Sequence, residues 1–428
     1  MVCRKSVAAM MAAGEQGAFV QAVLDLKNTR PSIIPAAQAD GAQSRYDDYV
    51  WLHKAAFTLI HLGPAFGPWH REILRQFELD LRDVSGNPNL YVPYWDWPTA
   101  RQPGDPGWPF VNDLMGGLGT GANNAVVTGP FAGSTGDWDI HVTDVGDPHT
   151  VLRRVSSTNP ASPSLPNASA AQGALDAFPY DSVPYNDNNF PTGPQAAASF
   201  RKSLEFLLHN GPHNWVGNEG GGVFLDMMAL ASPNDPIFFL HHAQVDRMWS
   251  IWQDKNPSPA DHFAPLSGAN SGHNLNDLMD VMDPSYFAFP VLGTNAANVD
   301  LHASGVWYDT DLPEVSLATP SVDFGSIPAG LTTYFPVQFT VEGCRAMRFR
   351  ITGVAGSGFG IPPMNAVVQV PASDDPSPRT VDVFVQCTAP AGGTPVGPGS
   401  VSIEAFVVDD EGYLAAAPGG EYVFGTFM

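Results

Sequence analysis

Apolar residues follow one spacing in the first part of this chain, no sustained spacing through much of its middle, and a different spacing after about residue 310. From Trp69 to Val84 the residues Ile73, Leu74, Phe77, Leu81 and Val84 fall along one side of a 3.6-residue repeat, which predicts a helix with one face turned to a core. Comparable patterning predicts helices from Ser44 to Leu59, from Ala196 to Asn210 and from Asp235 to Asp254. The last of these begins at Asp235 and Pro236, residues suited to a helix cap and to the first helical position. From Thr99 to Thr192 the chain is dense in Pro, Gly, Asn and Asp and predicts a long loop excursion over the helices. After about Thr310 the period falls to two. Strands are predicted at 333–341, 346–352, 366–370, 380–386 and 401–408, separated by Gly/Pro turns, which is the pattern of a β-sandwich. The tract from Val315 to Gly330, with Ser321-Val322-Asp323-Phe324-Gly325, resembles the opening of bacterial immunoglobulin-like domains.

Composition narrows the possibilities. With 43 acidic and 20 basic residues the formal charge is -23, so phosphate backbones and anionic membrane surfaces would be repelled, and neither nucleic acid nor membrane is an expected partner. No stretch approaches the roughly 20 apolar residues that span a bilayer, and Met1 to Val23 lacks the apolar run of a signal peptide. Compartment and oligomeric state are left open. The three cysteines, Cys3, Cys344 and Cys387, are too few for a thiolate metal cluster. Cys344 and Cys387 both fall in the β-rich tail, where they either form a disulfide or remain two separate buried thiols. Asn167-Ala168-Ser169 fits a glycosylation sequon but carries no weight without a secretory route.

Of the 12 histidines, two groups cluster. His53, His61 and His70 lie on two predicted helices and their connection, with only residues 54–60 between the first two. His209 and His213, four apart, share a helix face and are followed by His241 and His242 on the next long helix. Pro212 between the first two should kink that helix. Three imidazoles per site can hold a metal ion while leaving coordination positions open. A di-iron or di-manganese bundle would need bridging carboxylates and Glu-x-x-His pairs, which these segments lack. All-imidazole ligation favours copper, with zinc as the alternative on ligand type alone.

These segments resemble the tyrosinase family of binuclear copper proteins over roughly residues 1–310. The resemblance is carried by His61 to Arg71, by Pro93-Tyr94-Trp95-Asp96-Trp97, by His209-Asn210-Gly211-Pro212-His213, and by Asn234 to His242 with Asp246-Arg247-Met248-Trp249. It implies a mainly α, four-helix-bundle binuclear copper domain over 1–310 and a C-terminal all-β immunoglobulin-like sandwich over 311–428. It makes His53, His61 and His70 the ligands of one copper, and His209, His213 and His242 those of the other. His241 then supports the ligands from behind, because neighbouring helical residues point about 100° apart. Asp246 and Arg247 are expected either as a buried helix pair or as an orienting group behind the ligands. Trp69, Trp95, Trp97, Trp249 and Trp252 are assigned to packing rather than to a substrate box. Leu59 stands where some relatives carry a cysteine crosslinked to the second histidine, so no such thioether is expected.

The implied activity is that of a polyphenol oxidase using two copper ions and dioxygen to convert o-diphenols, and monophenols or o-aminophenols, to quinones. A haemocyanin-like reversible dioxygen carrier is the alternative, since it would share every ligand. At the position where relatives place a gate over the second copper, thirteen residues before His242, this chain has Ala229, whose small side chain favours substrate access. The β-rich tail would act as a plug if it resembled the tails of some relatives. Glu205 and Asn210 match the residue types proposed in monophenol-hydroxylating relatives to hold a proton-accepting water. The competing reading makes Glu205 an ordinary helix carboxylate paired with Arg201 or Lys202.

Overall fold

The structure, a computed structural model, describes residues 1–156, 164–186, 193–218, 224–279, 293–319, 324–362, 367–392, 399–407 and 422–424. The chain forms two compact units, one of Arg4–Val306 and one of Met1–Cys3 with Trp307–Met428.

The larger unit is built on helices. Two of them, α1 (Val7–Ala13) and α2 (Gln16–Asn28), fall in the opening amphipathic segment, for which the apolar pattern sets no helix bounds. Ser6 caps α1 through its hydroxyl, and Gly14 ends it at a positive φ of 71°. Helix α3 (Arg45–Ile60) opens with a capping box between Ser44 and Asp47. Helix α4 (Phe66–Ser85) starts three residues before the predicted boundary. Short α5 (Ala168–Leu175) is capped by the side chain of Asn167, which gives the sequon asparagine a structural role. Near the second histidine group the chain passes from α6 (Phe200–Lys202) through a π-helical stretch, Ser203–His209, into α7 (Asn210–Val216). Pro212 has no N–H to give the Leu208 carbonyl, so an α-helical ladder fails there. The Asn210 N–H instead reaches back to Glu205. The predicted kink is thus a change of helix type before the proline.

Helix α8 (Ile237–Lys255) is buried along most of its length. Asp235 lies just outside it and accepts the Ile237 N–H at 3.1 Å, so the predicted cap acts one residue earlier than the helix start suggests. The same carboxylate takes a two-pronged pair from Arg154 at 2.7 Å for each bond, both groups fully buried. Removing one partner of such a pair costs about 3–5 kcal/mol. Arg154 belongs to the long excursion, which is therefore packed into this unit rather than laid over it. Its Trp138 also sits edge-on to Tyr46 of α3 at 4.6 Å. Helices α3, α4 and α8 meet through Phe77 stacked on Phe239 at 3.6 Å, with Tyr46 and Tyr49 at their edges. No single helix among the described residues is long and apolar enough to cross a membrane.

The smaller unit begins in β1 (Val2–Arg4), resumes in β2 (Val306–Tyr308), and then forms two antiparallel four-stranded sheets. One orders β3 (Glu314–Leu317), β4 (Thr332–Glu342), β8 (Arg379–Thr388) and β6 (Phe359–Gly360) as β3-β4-β8-β6. The other orders β10 (Tyr422–Phe424), β9 (Ser400–Val407), β5 (Met347–Ala355) and β7 (Val367–Val370) as β10-β9-β5-β7. Alternate residues point inward to one shared core that includes Val337, Phe339, Val383, Phe349 and Ile403. Burying each such side chain contributes about 1.5–3 kcal/mol. The predicted strand positions Ala366 and Val408, and Ser321, Val322 and Asp323 of the immunoglobulin-like tract, lie outside the described residues.

The cysteine expectation is corrected. The disulfide joins Cys3 to Cys344, with Cα atoms 6.3 Å apart, and Cys387 is free and buried. Cys387 occupies an inward position on β8, while Cys344 packs against Trp307 and Cys3. A partner 341 residues away in sequence is visible only once the fold is formed.

Candidate metal centre

All seven predicted candidate histidines converge. The potential ligand atoms of His53, His61 and His70 lie within 4.8 Å of one another, as do those of His209, His213, His241 and His242, and every one of these residues is buried. Neither group includes a carboxylate or a thiol. The two groups face each other. The His70 ring is stacked on His242 at 4.4 Å, and His61 lies 5.8 Å from His209.

Hydrogen bonding sets the direction of the lone pairs. His61 donates its Nδ1–H to the Phe57 carbonyl at 3.0 Å, and His70 donates its own to the Phe66 carbonyl at 2.8 Å, each four residues back along the chain. His53 donates to the Leu230 carbonyl at 2.8 Å, His213 to the Met227 carbonyl at 2.6 Å, and His209 to Asn210 Oδ1 at 3.0 Å. Oxygen acceptors require the proton on Nδ1, so Nε2 of each ring keeps a free lone pair. The Nε2 atoms of His53, His70 and His209 are buried without a hydrogen-bond partner among the described residues. The Nε2 atoms of His213 and His242 approach to 3.5 Å, as two ligands of one ion would. Buried, lone-pair-bearing nitrogens without partners are costly unless something binds them, and two groups of imidazoles fit two copper ions.

Burial drives the pKa values of His61 and His213 down to about 4, at His61 with help from the neighbouring His213 imidazole and at His213 against the pull of the Met227 carbonyl and Asp235. Neutral, ligating imidazole is therefore the ordinary state of the site above mildly acidic pH. Neither ring nitrogen of His241 has a hydrogen-bond partner among the described residues, and its ring stacks at 5.3 Å on His209. Both His241 and His242 are thus placed to reach the second site.

Around the ligands, Asp246 receives Arg71 at 2.6 Å and Arg4 at 3.1 Å, tying α4 to α8 one residue from His70. Arg71 also lies over the Trp249 ring, 3.8 Å from its centroid. Arg247 instead reaches Asp96 at 3.4 Å and stacks over Tyr94. Trp69, Trp95, Trp97, Trp249 and Trp252 are all fully buried.

Glu205 is fully buried. It accepts the Leu62 N–H at 2.6 Å and pairs with Arg201 at 2.8 Å, the partner named by its competing reading. Burial raises its pKa to about 7 against the opposing pull of Arg201. Asn210 holds His209, as described above. Ala229 is half-buried, beside Leu230.

Sequence reading missed His273. Its Nδ1 accepts the Ala65 N–H at 3.2 Å, and its ring fills the space where a Cβ on Gly63 would sit, 2.5 Å away. With Glu205 on Leu62, which has a left-handed φ of 62°, two side chains from distant segments hold the turn between His61 and His70. Also missed were the carbonyl partners of His53 and His213, for which backbone atoms leave no sequence signal.

The sequence profile described as the common central domain of tyrosinase matches residues 43–255. The chain is 33% identical over 323 residues to a tyrosinase of Streptomyces glaucescens, covering 73% of this chain and 100% of that protein. It is 31% identical over 302 residues to the grixazone synthase of Streptomyces griseus subsp. griseus, covering 62% of this chain and 89% of that protein. A solved polyphenol oxidase from Thermothelomyces thermophila is similar at a TM-score of 0.49 with 24% identity, covering 70% of this chain and 86% of that one.

Proposed function

Because the chain belongs to the tyrosinase family and is a copper-dependent polyphenol oxidase with a binuclear site, we propose that it converts o-diphenols, and monophenols or o-aminophenols, to quinones while dioxygen is reduced to water. The observation that carries this reading is the pair of facing histidine groups whose Nε2 lone pairs are left for metal. We assign His53, His61 and His70 to one copper and His209, His213 and His242 to the other, with His241 supporting them. We read residues 1–310 as the copper domain, with the larger unit, Arg4–Val306, as its body and its four histidine-bearing helical segments as the bundle. Residues 311–428 are read as an immunoglobulin-like sandwich, on the support of its two packed antiparallel sheets.

The bound copper pair supplies the two-electron chemistry that links phenol oxidation to dioxygen reduction. The protein does the rest. Four backbone carbonyls and Asn210 hold five of the six assigned imidazoles in one tautomer and orientation, and burial keeps them neutral. A monophenol must also lose its hydroxyl proton, and we assign that transfer to a water held by Glu205 and Asn210. An ionised carboxylate offers about four lone-pair positions, so the bonds to Leu62 and Arg201 leave Glu205 able to accept from a water. Asp246 orients α4 beside His70.

The haemocyanin-like reading would require a shielded site. The small side chain of Ala229 supports access instead. Steady oxygen consumption by the copper-loaded protein with catechol, and none without phenol, is the expected result. Reversible oxygen uptake without quinone formation would overturn the oxidase reading.

A further inference from the structure

The five bonds that orient the imidazoles are not equivalent, because two of them end on one short stretch of chain. Met227 and Leu230 lie three residues apart, and their carbonyls receive His213 and His53, which the proposed ligand assignment places on different coppers. Residues 226–231 thus form a strap that sets the ring orientation of one ligand at each site. A strap can do this only if its own position is held.

Two carboxylates hold it. Asp226, fully buried, accepts the Arg153 N–H at 2.6 Å on one oxygen and meets His149 Nε2 at 2.7 Å on the other. Asp144 clasps the far end, accepting the Leu230 N–H at 2.8 Å and the Ala231 N–H at 3.2 Å. The Leu230 backbone is therefore used twice. Its N–H is fixed by Asp144, and its carbonyl fixes His53. From the other side, Gly217 receives the strap so closely that a Cβ there would lie 2.6 Å from the Met228 nitrogen.

We propose that Asp144, seconded by Asp226, is a positioning residue for both copper sites at once: it holds the 226–231 strap and through it aims His53 and His213. The proposal rests on the ligand reading above. Supporting groups of this kind typically contribute roughly 10- to 100-fold to metal affinity or activity.

The test uses copper-loaded full-length protein titrated with a chelator, with total copper and the electron paramagnetic resonance signal of isolated cupric ion followed together. A coupled cupric pair is silent in that measurement, and a single remaining ion is visible. In D144A both coppers are expected to leave together at roughly 10- to 100-fold lower chelator, with little one-copper signal, while the melting temperature of the copper-free protein stays within a few degrees of wild type. D144N keeps one carbonyl acceptor and should fall between the two. Substitution of the adjacent, fully exposed Val145 by Ser should change nothing. Wild-type copper retention in D144A, loss of one copper alone, or an equally large drop in copper-free stability would each overturn the proposal. Wild-type protein binding fewer than two coppers would instead overturn the ligand reading beneath it.

Discussion

The two histidine groups draw on local hydrogen bonds to different extents. The first takes two of its three from its own helix or turn and the third, from His53 to Leu230, from a distant segment, while the second has one local bond, from His209 to its neighbour Asn210. In the first, His61 and His70 each donate to a carbonyl four residues earlier, so the helix or turn that carries the ring also aims it. In the second, His213 depends on Met227, fourteen residues away and outside its helix, and His242 Nδ1 has no partner among the described residues. The second group also sits on a chain that changes from π- to α-helix between Glu205 and Pro212. A ring aimed by a local hydrogen bond is set when its helix forms, whereas a ring aimed from elsewhere, such as His53 or His213, is set only when the tertiary structure is complete.

The largest expected effect tests the ligand choice at the less local site. His242→Ala should lose one copper and all oxidase activity, whereas His241→Ala should keep both coppers at reduced affinity, as metal analysis of the purified variants will show. The reverse pattern would exchange the two residues' roles.

Acid should then erase the difference between the groups. His61 and His213, one from each, both have pKa values near 4 in the fold, against about 6.5 in an unfolded chain. As pH falls through 6.5 the unfolded chain takes up protons that the folded chain refuses. The contribution of these two histidines to copper-free stability should therefore be full above about pH 6.5 and be lost as the pH falls to about 4. Chemical denaturation across that range measures it, and a flat profile would show that the imidazoles are not held neutral.

A smaller effect belongs to the second site alone. Asn210→Ala should lower monophenol turnover about 100-fold while o-diphenol turnover falls only severalfold, because only the monophenol must first give up its proton. Equal losses would mean that Asn210 serves chiefly as the acceptor that aims His209.

The finest test sets one site directly against the other. H242A should retain only first-site copper and H61A only second-site copper, and the first should need about tenfold more chelator to remove, in the range that supporting hydrogen bonds contribute. Equal midpoints would mean that local and distant acceptors orient imidazole equally well.

Much of this molecule could be read along the chain. The helices carrying the histidines, the alternating strands and the convergence of seven imidazoles all rest on short-range periodicity or on motifs a few residues long. Less legible were α1 and α2, where Gly17 and small residues blur the repeat. The pairing of Cys3 with Cys344 was also hidden, as was the tie between Asp246, Arg71 and Arg4, whose members are far apart in sequence.

What the sequence determined by itself was which atoms are available to the metals, because imidazole type and helical spacing are local properties. Which way those atoms point was decided, for His53 and His213, by the tertiary structure. The Leu230 and Met227 carbonyls, the Asp144 clasp and the His273 support under Gly63 act through backbone groups or residues distant in the chain. Every residue but proline carries the same N–H and every residue the same carbonyl, so only the folded path decides which of them meets a histidine.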